Sequence, residues 1–141
     1  MTPDELALVT ESAAVAFADP DRLADSISHH LFAIAAPTAT LFANGTERQR
    51  AELVAELGRV VATATDLEAF VVRARGLGHR HARYGVEPGD YEHGGIALLA
   101  ALADALGPDW TPAHEAAWRK LYRLIAETML DGATAGMFCR R

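Results

Sequence analysis

The sequence has one cysteine, no long apolar run and no excess of basic residues, and each absence excludes a class of protein. Cys139 is the only cysteine in 141 residues, so an internal disulfide is impossible and we expect a reducing, cytoplasmic environment. No apolar run could span a bilayer, and Met1 to Glu5 has no basic region before an apolar stretch, so neither a membrane segment nor a signal peptide is expected. The net charge of −6 speaks against a nucleic-acid partner, because phosphate contacts need clustered Lys and Arg.

What the sequence does contain is a series of helix-forming segments separated by proline and glycine. Thr2-Pro3, Asp19-Pro20 and Thr111-Pro112 each pair a capping side chain with proline at a first helical position, and no alternating strand pattern is present. Helices are predicted at about residues 3–17, 21–36, 46–64, 66–84, 89–106 and 112–132, with a short helical turn before Phe42 and a corner at residues 43–45. We therefore expect one all-α domain over residues 1–132 and a short, fraying tail over residues 133–141. A plain helical bundle fits the same pattern.

The most informative segment is HRHARYGVEPGDY, from His79 to Tyr91. His81 ends an apolar stripe at helical spacing, just before a Gly/Pro corner, so its imidazole is carried to the floor of an apolar cleft. His79 and His81 diverge by about 200° on a helix, which speaks against a joint metal site. By itself, His81 is either a satisfied core histidine or a single metal ligand. The apolar stripe consists of Leu67, Phe70, Val71, Ala74 and Leu77.

Together with Phe42 and Trp118, this segment resembles the proximal side of the haem pocket in bacterial globins. It is most similar to the globin part of flavohaemoglobins and to single-domain bacterial haemoglobins. The resemblance runs from about Leu23 to Leu130 and implies a globin fold of six to eight helices around haem b (iron protoporphyrin IX). It implies that His81 is the axial iron ligand and that Tyr91 lies behind it. Further cofactor contacts are implied at Val86, Gly94 and Leu98.

On the ligand side, the resemblance implies that Phe42 wedges against the haem and that Gln49 and Leu53 face the bound ligand. Leu57 continues the same apolar face toward the cofactor. Gln49 has a second interpretation, because Thr46 and Gln49 also form a capping box that would use the glutamine on backbone amides.

Ser28 departs from the flavohaemoglobin pattern. Counting back from Phe32 and Phe42, which match phenylalanines of the family, Ser28 stands where flavohaemoglobins carry a ligand-binding tyrosine. A serine would reach the ligand only through water. A shift of one residue would instead bring His29 or His30 into the pocket.

A second departure lies in the last helix, where Ala133 replaces a glutamate that flavohaemoglobins place near the proximal imidazole. Its absence weakens an expectation of peroxidase-like or dioxygenase-like chemistry, and no catalytic residue is assigned.

The resemblance implies a haem globin, monomeric or homodimeric, that reversibly binds oxygen, nitric oxide or carbon monoxide for storage, delivery or sensing. The alternative is a haem-dependent oxidoreductase, such as a nitric oxide dioxygenase, served by a separate flavin reductase, because no reductase segment is expected after Arg141. A third possibility is a haem-free globin whose helices bind a partner.

Overall fold

Seven α-helices and one short 3₁₀ helix make up the described part of the chain. The computed structural model describes residues 1–43 and 45–138; at residue 43 and residues 135–138 it describes only the backbone. Every helix in those ranges is too short or too polar to cross a membrane. The helices are α1 (Pro3–Ala16), α2 (Pro20–Ile34), α3 (Ala36–Ala43), α4 (Glu47–Ala62), α5 (Leu67–Arg83), α6 (Pro88–Leu106) and α7 (Pro112–Phe138), with the 3₁₀ helix at Gly107–Asp109.

Helices α1 and α4 begin at capping boxes. The Thr2 hydroxyl accepts the Glu5 amide at the start of α1, and the Glu5 carboxylate accepts the Thr2 amide. At the start of α4, Thr46 and Gln49 exchange the same pair of bonds, 3.1 and 2.8 Å long. Each box satisfies two amides that a helix leaves without an internal partner, so the starting points are fixed locally.

Glycines allow α5 and α7, the most extensively packed pair of helices, to approach at backbone distance. A Cβ added at Gly78 would collide with the carbonyl oxygen of Met129, and one added at Gly132 would collide with the carbonyl oxygen of Arg75. The two contacts are reciprocal, since each helix supplies one glycine and one facing carbonyl. The crossing therefore fixes where the end of α5 lies relative to α7.

The core contains Trp118, whose side chain is fully buried on α7. Its indole Nε1 donates to the Ser12 hydroxyl of α1 over 2.8 Å, so the polar atom of the ring is satisfied inside the core.

Two predicted boundaries are wrong. The second helix ends at Ile34 rather than continuing to about residue 36, because α3 already begins at Ala36. The last helix does not end near Gly132 but continues to Phe138, because Gly132 serves the crossing with α5 instead of a C-terminal cap. Asn44, in the predicted 43–45 corner, lies outside the described residues. So do residues 139–141 of the predicted tail, including Cys139.

Candidate functional site

A cavity of about 1120 Å³, its open mouth included, lies between a wall formed by α2, α3 and α4 and a wall formed by α5, α6 and α7. The first wall includes Ile27, Leu31, Thr38, Leu41, Phe42, Gln49, Arg50, Leu53, Val54 and Leu57, with Gly45 at the α3–α4 corner. The second includes Leu77, His81, Tyr84, Val86, Asp90, Tyr91, Gly94, Leu98, Tyr122 and Met129.

His81 is the histidine that α5 brings to this cavity. Its Nδ1 lies 2.9 Å from the carbonyl oxygen of Leu77, one turn earlier on the same helix. A carbonyl only accepts, so Nδ1 carries the proton and Nε2 keeps its lone pair. Within the described residues, Nε2 has no hydrogen-bond partner. The imidazole therefore has the tautomer and the unused nitrogen that a metal ligand requires.

Burial keeps this imidazole neutral. It lowers the pKa of His81 below the ordinary value of 6.5; the hydrogen bond to Leu77 opposes this effect, and the positive charge of Arg80 adds to it. A neutral imidazole is the form that binds a metal, so little competition from protons is expected near neutral pH.

The corner after α5 is anchored on His81 itself. The Val86 amide donates 3.2 Å to the His81 carbonyl, and Gly85 adopts φ = 84°, a conformation that a residue with a side chain rarely takes. This turn carries the chain directly into α6, so Val86 lines the same cavity as the imidazole.

Tyr91 lies beside the imidazole, and Tyr122 is bonded to Tyr91. The ring of Tyr91 is tilted against that of His81, with centroids 6.2 Å apart, and burial raises the pKa of Tyr91 to about 12. Tyr122 donates its hydroxyl to the Tyr91 carbonyl over 2.6 Å. A Cβ at Gly95 of α6 would come within 2.5 Å of the Tyr122 ring of α7. Glycine at position 95 therefore allows this ring to pack against α6.

Nine of the ten predicted cofactor-binding residues line the cavity, and Ser28 does not. Ile27 and Leu31, one turn apart, are the residues of α2 that face it. Ser28 is half-buried one position further round the helix, and Phe32, used for the sequence register, is 55% exposed. Ser28 and Phe32 lie one turn apart on α2, so the register that placed Ser28 in the pocket puts neither residue on the face that lines the cavity. The lining residues predicted are His81, Phe42, Gln49, Leu53, Leu57, Val86, Tyr91, Gly94 and Leu98.

His29 and His30 do not line the cavity either. The ring Nε2 of His30 lies 2.6 Å from a carboxylate oxygen of Asp104 on α6, and His29 is exposed beside it. Both histidines therefore face away from the space opposite His81.

A buried carboxylate that the sequence pattern did not reveal ties α4 to α5. Glu56 is 9% exposed and lies within 3.6 Å of guanidinium nitrogens of Arg59, Arg73 and Arg80. Arg80 directly precedes His81, so this cluster joins the helix of the ligand wall to the end of the histidine helix. A glutamate between valines and leucines on α4 was the available signal.

The sequence belongs to the globin family. The family model described as Globin matches residues 26–129, which hold most of α2 and all helices up to α7. A flavohemoprotein of Bacillus subtilis (strain 168) is 28% identical over 93 residues, and flavohemoprotein B of Dictyostelium discoideum is 26% identical over 92 residues. Each match covers 64% of this chain but only 23% and 22% of the relative, so the chain spans less than a quarter of their length.

The fold agrees with that of a solved heme protein. The crystal structure of a hexacoordinated heme protein from an anhydrobiotic tardigrade superposes with a TM-score of 0.83, covering 95% of this chain and 96% of that chain. The identity is 14%, so this likeness concerns the fold. The predicted all-α globin fold of six to eight helices is confirmed.

Proposed function

We propose that this globin binds haem b through His81 and reversibly binds a diatomic gas on the opposite face of the haem. The observation that carries the proposal is the protonated Nδ1 of His81 bonded to the Leu77 carbonyl, which leaves Nε2 for iron. The family and the names of the relatives, two flavohemoproteins and a heme protein, support the same choice of cofactor.

The residues around the cavity fit a porphyrin. Apolar side chains occupy both walls, with Phe42 and Leu57 on one and Val86 and Leu98 on the other, as the flat faces of the macrocycle require. Arg50 and Tyr84 also line the cavity and provide a cation and a hydroxyl for the propionates. When bound, haem would supply an iron centre that takes a gas molecule as its sixth ligand. The protein would orient the imidazole and exclude water.

The experiment is a titration of the purified protein with haemin, followed by reduction and exposure to carbon monoxide. Stoichiometric growth of a Soret band, and its shift with carbon monoxide, would support the proposal. His81→Ala is expected to lose or greatly alter the band, whereas His79→Ala, two residues away on the same helix, is expected to keep it. A protein that does not take up haemin would rule the proposal out.

A second candidate function is nitric oxide dioxygenation with a separate flavin reductase in the cytoplasm, favoured by the flavohemoprotein names of the relatives. The local geometry supports it less well, since His81 is bonded to a backbone carbonyl rather than to a carboxylate that would increase its electron donation. Mixing the oxygenated protein with nitric oxide and assaying nitrate tests this activity. Absence of rapid nitrate formation would remove it.

A further inference from the structure

The wall of the cavity opposite His81 carries a continuous set of apolar side chains. Ile27 is 7% exposed and Leu31 is 3% exposed, and both side chains reach the cavity from α2. Phe42, Leu53 and Leu57 extend this surface from α3 and α4. None of these five side chains can donate a hydrogen bond.

The polar side chains on the same wall have other partners. The Thr38 hydroxyl donates to Asp90 over 2.7 Å. Gln49 folds back on its own helix start, where its Oε1 accepts the Thr46 amide over 2.8 Å. Arg50 donates 2.6 Å to the Gly45 carbonyl at the same corner. The side-chain oxygen of Gln49 and one guanidinium nitrogen of Arg50 are thus bonded at the α3–α4 corner, which holds both side chains there.

No histidine of the described residues lines this wall. His30 is bonded to Asp104, and Ser28 is turned out of the cavity. A second imidazole ligand from α2 would require the helix to rotate and to break the contact with α6.

We propose that Ile27 makes this site selective for carbon monoxide or nitric oxide over dioxygen and that the ferrous iron stays five-coordinate without a gas ligand. The inference rests on the proposed haem binding. Dioxygen becomes the most polar of the three gases on ferrous haem, so it depends most on a nearby donor, and this wall offers it an aliphatic side chain. Bound carbon monoxide needs no such hydrogen bond, so the apolar wall lowers its affinity little.

The test measures the dissociation constants of dioxygen and carbon monoxide in the haem-loaded protein and in two variants. Ile27→Asn places an amide donor on the wall, and Ser28→Asn makes the same change one residue away, outside the cavity. We expect Ile27→Asn to lower the dioxygen constant by about tenfold or more, with the carbon monoxide constant nearly unchanged. Ser28→Asn should leave both constants as they are.

A third variant and a spectrum keep the test decisive if Ile27→Asn does not fold. Gln49→Leu should leave dioxygen affinity unchanged, and the infrared band of bound carbon monoxide in the unmodified protein should show an apolar environment. A tenfold loss of dioxygen affinity in Gln49→Leu would overturn the inference, because Gln49 would then be the donor. A six-coordinate ferrous spectrum without gas would overturn it as well. Failure to bind haemin at all would instead overturn the proposed function.

Discussion

The Nδ1 of His81 lies 2.9 Å from the carbonyl oxygen of Leu77, one helical turn earlier on α5. This bond uses an acceptor that the helix itself supplies, so it orients the ring without a second charged residue. The glutamate that Ala133 replaces is therefore not needed for this orientation. Asp131, an acid of the same helix α7, pairs with Arg75 of α5 over 3.3 Å.

The stability of the haem-free protein should depend on pH through His81. Burial lowers the pKa of His81 in the folded state, whereas the unfolded chain protonates near 6.5. The unfolded state therefore binds more protons below 6.5, and the free energy of unfolding should fall as pH drops from that value toward the folded pKa. Urea unfolding between about pH 7.5 and about pH 5.5 measures the slope. His81→Leu should make it shallower, and an equal slope in that variant would refute the assignment.

Gly78→Ala should destabilise the fold, because its added Cβ would collide with the Met129 carbonyl of α7. Overpacking against backbone costs about 1–3 kcal/mol. Gly76→Ala is the matched control two residues earlier, where a Cβ meets nothing within 4 Å. There the better helix propensity of alanine should stabilise by about 0.5–1 kcal/mol. Chemical denaturation of both variants checks the opposite signs, and two changes of the same sign would contradict the close crossing.

Tyr122→Phe removes the hydroxyl that donates 2.6 Å to the Tyr91 carbonyl while it keeps the ring packed on Gly95. The expected loss in the free energy of unfolding is about 0.5–1.5 kcal/mol, the usual net value of such a bond. Tyr84→Phe, at a residue 58% exposed, is the control and should change stability by less than about 0.5 kcal/mol. Equal effects in the two variants would show that the Tyr122 bond contributes nothing.

Glu56→Gln should loosen the link between α4 and α5. The substitution keeps the volume but removes the charge that faces Arg59, Arg73 and Arg80. These guanidinium groups are half-exposed, so solvent screens part of the interaction, and we expect a cost of roughly 1–3 kcal/mol. Glu52→Gln breaks an exposed pair with Arg48 and should cost at most about 0.5 kcal/mol. Thermal unfolding measures both, and a harmless Glu56→Gln would contradict the role of the cluster.

The sequence predicts helix starts well and helix ends less well. A helix start depends on hydrogen bonds between residues close in sequence, such as those between Thr46 and Gln49. Gly132 looks like a helix stop but lies inside α7, because its lack of a side chain serves a crossing with Arg75 of another helix. This packing contact joins residues far apart in sequence, so the local sequence around Gly132 does not predict it.

Part of the candidate site could likewise be predicted from local sequence, and part could not. The wall of His81, Val86 and Tyr91 follows from one continuous segment, so spacing along the chain was enough to bring these residues together. The α2 contribution depends on which face of that helix turns inward, and Ile27 rather than its neighbour Ser28 lies on that face. Apolar residues at the spacing of Leu23, Ile27 and Leu31 were the signal that could have corrected the count.

The most direct test of a coordinate bond at His81 is the resonance Raman spectrum of the ferrous, gas-free protein with isotope-labelled histidine. We expect an iron–nitrogen stretching band that shifts with the label, is lost in His81→Gly and returns when free imidazole is added. An unchanged band in His81→Gly would mean that another residue holds the iron and would contradict the account.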